Sequence, residues 1–95
     1  METPKPYVDT NNIRTFNENV LEEELVWHRD KEDRHITILE GNGWQLQYDN
    51  EYPIIMEVGE TYIIKKMVYH RLLKGNDKLR IKINYMGNNN GKNNS

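Results

Sequence analysis

The sequence predicts an all-β domain, a small sandwich or barrel, and three observations carry that prediction. Apolar and polar residues alternate with period two in short runs: Trp44, Leu46 and Tyr48 against Gln45 and Gln47, and Leu79, Ile81, Ile83 and Tyr85 against Arg80, Lys82 and Asn84. Turn residues rich in glycine and asparagine separate these runs at short spacing. No segment shows a clean helical stripe.

Residues 1–12 hold two prolines and two asparagines and little apolar material, which predicts an extended N-terminal arm. Residues 13–86 make up the folded domain. Within it, residues 17–25 are the one helical candidate. The run Glu22-Glu23-Glu24 repels itself along a helix, so this stretch is a loop or short turn leading into a strand over residues 25–28. Residues 33–40 alternate, with Ile36 and Ile38 on one face and Thr37 and Leu39 on the other. Gly41-Asn42-Gly43 then reads as a hairpin turn, because glycine and asparagine tolerate positive φ. Strands follow over 44–48, 52–57, 61–66, 68–74 and 79–85, divided by Asp49-Asn50-Glu51, Gly59 and Gly75-Asn76-Asp77. Residues 87–95 carry nothing that could anchor a core and are expected to form a disordered Asn/Gly-rich tail.

Composition removes several classes of function. A chain of 95 residues with 36% hydrophobic residues makes one small domain. The formal charge of −2 argues against binding nucleic acid by bulk electrostatics. No apolar run approaches membrane-spanning length and no secretion signal opens the chain, so a cytoplasmic location without membrane attachment is expected. Cysteine is absent, which excludes disulfides and thiolate metal sites. The only serine is Ser95, so a serine-nucleophile hydrolase is excluded in practice. Dimerisation would cover edge strands, and a homodimer is expected on that ground.

Two histidines, His28 and His70, each join a strand-like run to a glycine turn. Their surroundings resemble the two motifs of the cupin superfamily, G-x5-H-x-H-x3,4-E-x6-G and G-x5-P-x-G-x2-H-x3-N. His28 stands at the first histidine, Asp30 at the second, Arg34 at the glutamate, and Gly41 closes the spacing. In the second motif Gly59 and His70 fall in register. Lys65 replaces the usual proline, Met67 the glycine and Lys74 the asparagine. The resemblance spans roughly residues 25–83 and implies a small double-stranded β-helix, the jelly-roll barrel of that superfamily.

The resemblance turns His28 toward the barrel interior, and period-two alternation places Asp30 on the same side. With His70 this makes a set of two histidines and one carboxylate, suited to a divalent ion such as Fe2+, Mn2+, Ni2+ or Zn2+. Glu32 and Asp33 are substitutes for Asp30 if the strand bulges there, and His35 is expected to face outward. Arg34 has two readings: an ion pair with Asp30 that replaces the metal, or a guanidinium that binds an anionic ligand at the pocket rim. Trp44, Tyr48 and Tyr62 are expected in the core, and by parity with the motif positions they also become candidate ligand-binding residues. Tyr69 and Arg71 should point the other way.

The order His-x-Asp and a later His is also similar to that of the iron and 2-oxoglutarate oxygenases, in which Arg80 would stand near the cosubstrate arginine. The parity of Leu79, Ile81 and Ile83 instead turns Arg80 outward. The leading expectation is a metal-binding cupin-like protein, a non-haem metal-dependent enzyme of dioxygenase or isomerase type acting on a small anionic molecule. The alternative is a metal-free module, either binding a small ligand or serving as a structural dimer.

Overall fold

The computed structural model describes residues 5–85. Eight strands form two antiparallel sheets: β1 Tyr7–Thr10, β2 Ile13–Phe16, β3 Arg34–Glu40, β4 Gln45–Tyr48, β5 Ile54–Ile55, β6 Thr61–Ile64, β7 His70–Leu73 and β8 Leu79–Tyr85. The larger sheet has the order β1-β2-β8-β3-β6 and the smaller β5-β4-β7. A single 3-10 turn at Glu22–Glu24 is the helical structure among the described residues, in keeping with the short turn expected there. No described helix is long and apolar enough to cross a membrane.

Alternation decides which side chains fill the space between the sheets. On the larger sheet Phe16, Ile36, Ile38, Ile64, Leu79, Ile81 and Ile83 face inward and are buried. On the smaller sheet Leu46 and Leu72 are cross-strand partners on the inner face, while Gln47 and Arg71 pair on the outer one. Trp44, Ile38, Leu46 and Leu79 are the most completely enclosed, and they close one end of the barrel. A bulge in β3 between Ile38 and Glu40 puts Leu39 outside and brings Glu40 opposite Arg80.

Four local expectations are corrected. Residues 7–10 of the stretch read as an N-terminal arm pair with β2 as an edge strand of the larger sheet. Residues 25–28 form no strand: the chain touches the smaller sheet at one bridge, between His28 and His70. Gly41-Asn42-Gly43 is not a hairpin turn. β3 and β4 lie in different sheets, so the segment carries the chain across the barrel, with φ of +139° at Gly41 and +82° at Gly43. It is held by the turn before β8, through Asn42 N–H to Asp77 Oδ1 at 2.8 Å and Asn76 N–H to the Asn42 carbonyl at 2.9 Å. The strand expected over 52–57 shrinks to Ile54–Ile55. Residues 87–95, read as a tail, lie outside the described residues.

Candidate metal centre

The His28–His70 bridge is an antiparallel pair in which each backbone N–H donates to the other residue's carbonyl, at 3.0 and 2.9 Å. Opposed residues of such a pair point to the same face, and the two imidazoles meet with centroids 4.4 Å apart. Each ring is oriented the same way. Nδ1 of His28 bonds the Val26 carbonyl at 2.9 Å, and Nδ1 of His70 bonds the Val68 carbonyl at 2.9 Å. A carbonyl accepts only, so Nδ1 carries a proton in both rings, and in a neutral ring so bonded Nε2 is the nitrogen with the lone pair.

Asp30 reaches the same point from an irregular segment rather than from a strand. The Asp30 carbonyl accepts from Met67 N–H at 2.7 Å, and Asp33 Oδ1 accepts from Lys66 N–H at 2.7 Å. These contacts fix the bend between His28 and β3. The Asp30 side chain is 9% exposed, and its Oδ2 lies 3.4 Å from His70 Nε2. One ligand atom from each of His28, Asp30 and His70 falls within 4.8 Å of the others. Donors about 2.0–2.2 Å from a shared ion stand about 3–3.5 Å apart when adjacent, so the His70–Asp30 separation already suits one. Asp30 Oδ2 is also buried with no hydrogen-bond partner. A carboxylate oxygen in that condition is costly unless something positive takes it up, and the donor set fits a divalent cation.

Burial pushes the His70 pKa below the usual histidine value. The Val68 carbonyl and Asp30 oppose that shift, and the nearby His28 and Arg34 reinforce it. His70 is therefore held neutral, the form that coordinates metal.

Arg34 is the first residue of β3 and shares the inner face with Ile36 and Ile38. Its Nη2 lies 3.4 Å from Asp30 Oδ1 and 3.9 Å from Glu32 Oε2, and its guanidinium carbon sits 4.9 Å from the Tyr85 ring centroid. Nε of Arg34 is buried without a partner. Glu32 and Asp33 stay outside the three-residue cluster, and His35 lies on the opposite face of β3 from Arg34.

A cavity of about 290 Å³ opens at this end of the barrel. Its polar lining is Arg14, Glu24, His28, Asp30, Arg34 and His70, and Phe16, Ile36, Ile64, Leu72, Ile81 and Ile83 supply apolar wall. Trp44, Tyr48 and Tyr62, the expected candidate ligand-binding residues, do not line it. Trp44 is fully buried at the closed end, with its indole N–H on the Asp77 carbonyl at 2.7 Å. Tyr48 donates its hydroxyl to the Ile63 carbonyl, and the Tyr62 hydroxyl accepts from Glu57 N–H. Parity put all three inside the barrel, but their hydroxyl and indole groups are spent on tying the sheets together.

Arg80 is likewise outside the cavity, 3.7 Å from Glu40, so no cosubstrate arginine stands there. The residue that sequence reasoning missed is Arg14. Its place on the inner face opposite Ile81 follows from the β2–β8 register, for which the short run Ile13–Phe16 gives little signal alone.

No protein-family model matches this chain, and no curated protein does. Solved structures do match. One is a cupin-2 domain containing protein from Shewanella frigidimarina, 27% identical, covering 80% of this chain and 72% of its own, with a TM-score of 0.55. Another, a protein from Neisseria meningitidis, is 14% identical, with 81% and 76% covered and a TM-score of 0.54. The chain has the cupin superfamily fold.

Proposed function

We propose that this chain is a metal-binding cupin whose His28, Asp30 and His70 hold one divalent cation at the floor of a pocket for a small anionic molecule. The observation that carries the reading is the pairing of two imidazoles with both Nδ1 atoms committed to backbone carbonyls, leaving two Nε2 lone pairs beside an orphaned carboxylate oxygen. A bound Fe2+, Mn2+, Ni2+ or Zn2+ ion would supply Lewis acidity, or redox chemistry for the first two, with positions left open for a ligand. The chain itself holds the two rings in one tautomer, shields Asp30 from water and presents a guanidinium beside it. Chemistry of dioxygenase or isomerase type on a small anion is the enzymatic form of this reading.

The test is metal analysis of purified protein, with thermal unfolding in the presence of each ion. Retention of a stoichiometric metal, or a clear upward shift in Tm with one of the four, is expected. His70→Ala should abolish it while the far-UV circular dichroism is kept. Absence of both retained metal and any shift in the wild type overturns the reading. A metal-free binding module is the second reading, favoured by the Arg34–Asp30 contact. Exposed Val8, Ile54, Ile55 and Ile63 on edge strands fit a homodimer, which light scattering would detect.

A further inference from the structure

Two guanidinium groups line the cavity, and their surroundings differ. Arg14 is already partnered. Its Nε and Nη2 donate to the two oxygens of Asp9 at 2.8 and 3.0 Å, and its guanidinium lies 3.7 Å from the Tyr7 ring centroid. Arg34 is not. Its Nε has no acceptor, and its Nη2 approaches Asp30 and Glu32 only at 3.4 and 3.9 Å. A buried donor without an acceptor carries a penalty that an incoming acceptor removes. A planar guanidinium with free N–H groups matches a carboxylate.

Asp30 stands between this guanidinium and the histidines. Oδ1 faces Arg34 and Oδ2 faces His70. One carboxylate therefore lies between a guanidinium and the place where the histidines would hold a cation. A divalent ion held on the histidine side would take up charge of Asp30 that now faces Arg34, and Arg34 would then favour a counter-anion. Beyond Arg34 the wall is apolar, formed by Ile36, Ile64, Ile81 and Ile83.

Resting on the metal reading above, we infer that Arg34 is the recognition residue for a small carboxylate with an aliphatic body, and that Asp30 couples this carboxylate to the metal. Metal loading releases Arg34 from Asp30 and raises carboxylate affinity. By reciprocity the carboxylate raises affinity for the metal.

The experiment is calorimetric titration with 3-methylbutanoate, using 3-methylbutanamide as the uncharged control, on metal-loaded and chelator-treated protein. The loaded wild type should bind the carboxylate roughly tenfold or more tightly than the stripped protein, and the amide far more weakly than the acid. Arg34→Gln should keep metal and lose that carboxylate affinity by roughly tenfold or more. If Arg34→Gln fails to fold, Arg34→Lys keeps the charge without the fork and should show a smaller loss.

Asp30→Asn separates coupling through Asp30 from simple coordination of the probe by the metal. It should lose metal, yet bind 3-methylbutanoate more tightly than the stripped wild type, because Arg34 is freed. Equal carboxylate binding by loaded wild type and Arg34→Gln, or no gain in Asp30→Asn, overturns the inference and leaves the metal reading standing. Failure of the wild type to take up any metal overturns the metal reading, and the Asp30→Asn comparison then decides the Arg34 site by itself.

Discussion

His70 is the residue on which most of the site's physics converges. It is 3% exposed, and burial lowers its pKa from the ordinary value of 6.5. Above that value the ring is neutral whether the chain is folded or not. As pH falls below it, the unfolded chain takes up a proton that the folded chain resists, so stability declines until the lower folded pKa is passed. In metal-free protein, the urea midpoint of the wild type should fall with acidification from pH 6.5 more steeply than that of His70→Gln. Parallel profiles would show that His70 titrates alike in both states. Trp44 gives a contrasting prediction at the same scale. Trp44→Ala should cost about 3–5 kcal/mol in chemical denaturation, from the cavity and the lost bond to Asp77. In the conservative variant Trp44→Phe, affinity for metal or carboxylate should be unchanged, since Trp44 lies away from the cavity lining. The sequence marked His28, Asp30, His70 and Arg34 because parity and motif spacing are local properties. It put Trp44, Tyr48 and Tyr62 inside the barrel without saying how near the cavity, because parity gives the face of a strand and not the end of the barrel.

Elements explain why the barrel is closed at one end and open at the other. At the closed end the segment 41–43 and the turn 75–77 interlock. A Cβ at Gly75 would lie 2.4 Å from the Asn42 carbonyl and 2.6 Å from the Trp44 nitrogen, both backbone atoms that cannot step aside. Gly75→Ala should therefore cost about 1–3 kcal/mol, the usual range for overpacking, read from the shift in denaturation midpoint. At the open end the β3 strand begins only at Arg34, after a bend fixed by the Asp33–Lys66 and Asp30–Met67 bonds. Asp30 thereby reaches the histidines although it is not in a strand. The period-two argument placed it on the correct side through a regular strand that does not form. Its position comes from contacts with the segment before β7, distant in sequence, and a local pattern cannot report those.

At the scale of the whole molecule, a chain of 95 residues has little core with which to stabilise itself, and a metal held at the proposed site would become part of its stability. A cation that binds only the folded chain adds about 2.7 kcal/mol at a hundredfold excess over Kd. For a domain of this size that is on the order of 10 °C in Tm. Thermal scans with and without chelator should show a shift of that order, reversed when metal is restored. The shift should vanish in His70→Ala. The core between the sheets is otherwise ordinary, built from the inward positions of β2, β3, β6 and β8 together with Trp44, Leu46 and Met56.

The sequence by itself determined the all-β class, most strand positions, the inner faces, and the two histidines with their carboxylate and arginine neighbours. Each of these follows from alternation along one strand or from spacing within one motif, and so needs no knowledge of partners. Only the tertiary structure decided that 41–43 crosses between sheets, that β1 joins the larger sheet and that the aromatic residues serve the closed end. It also decided that Arg14 is satisfied by Asp9 while Arg34 is left short of partners. These depend on which strands pair and in what register, and register is fixed by burial summed over the whole barrel, not by any one segment.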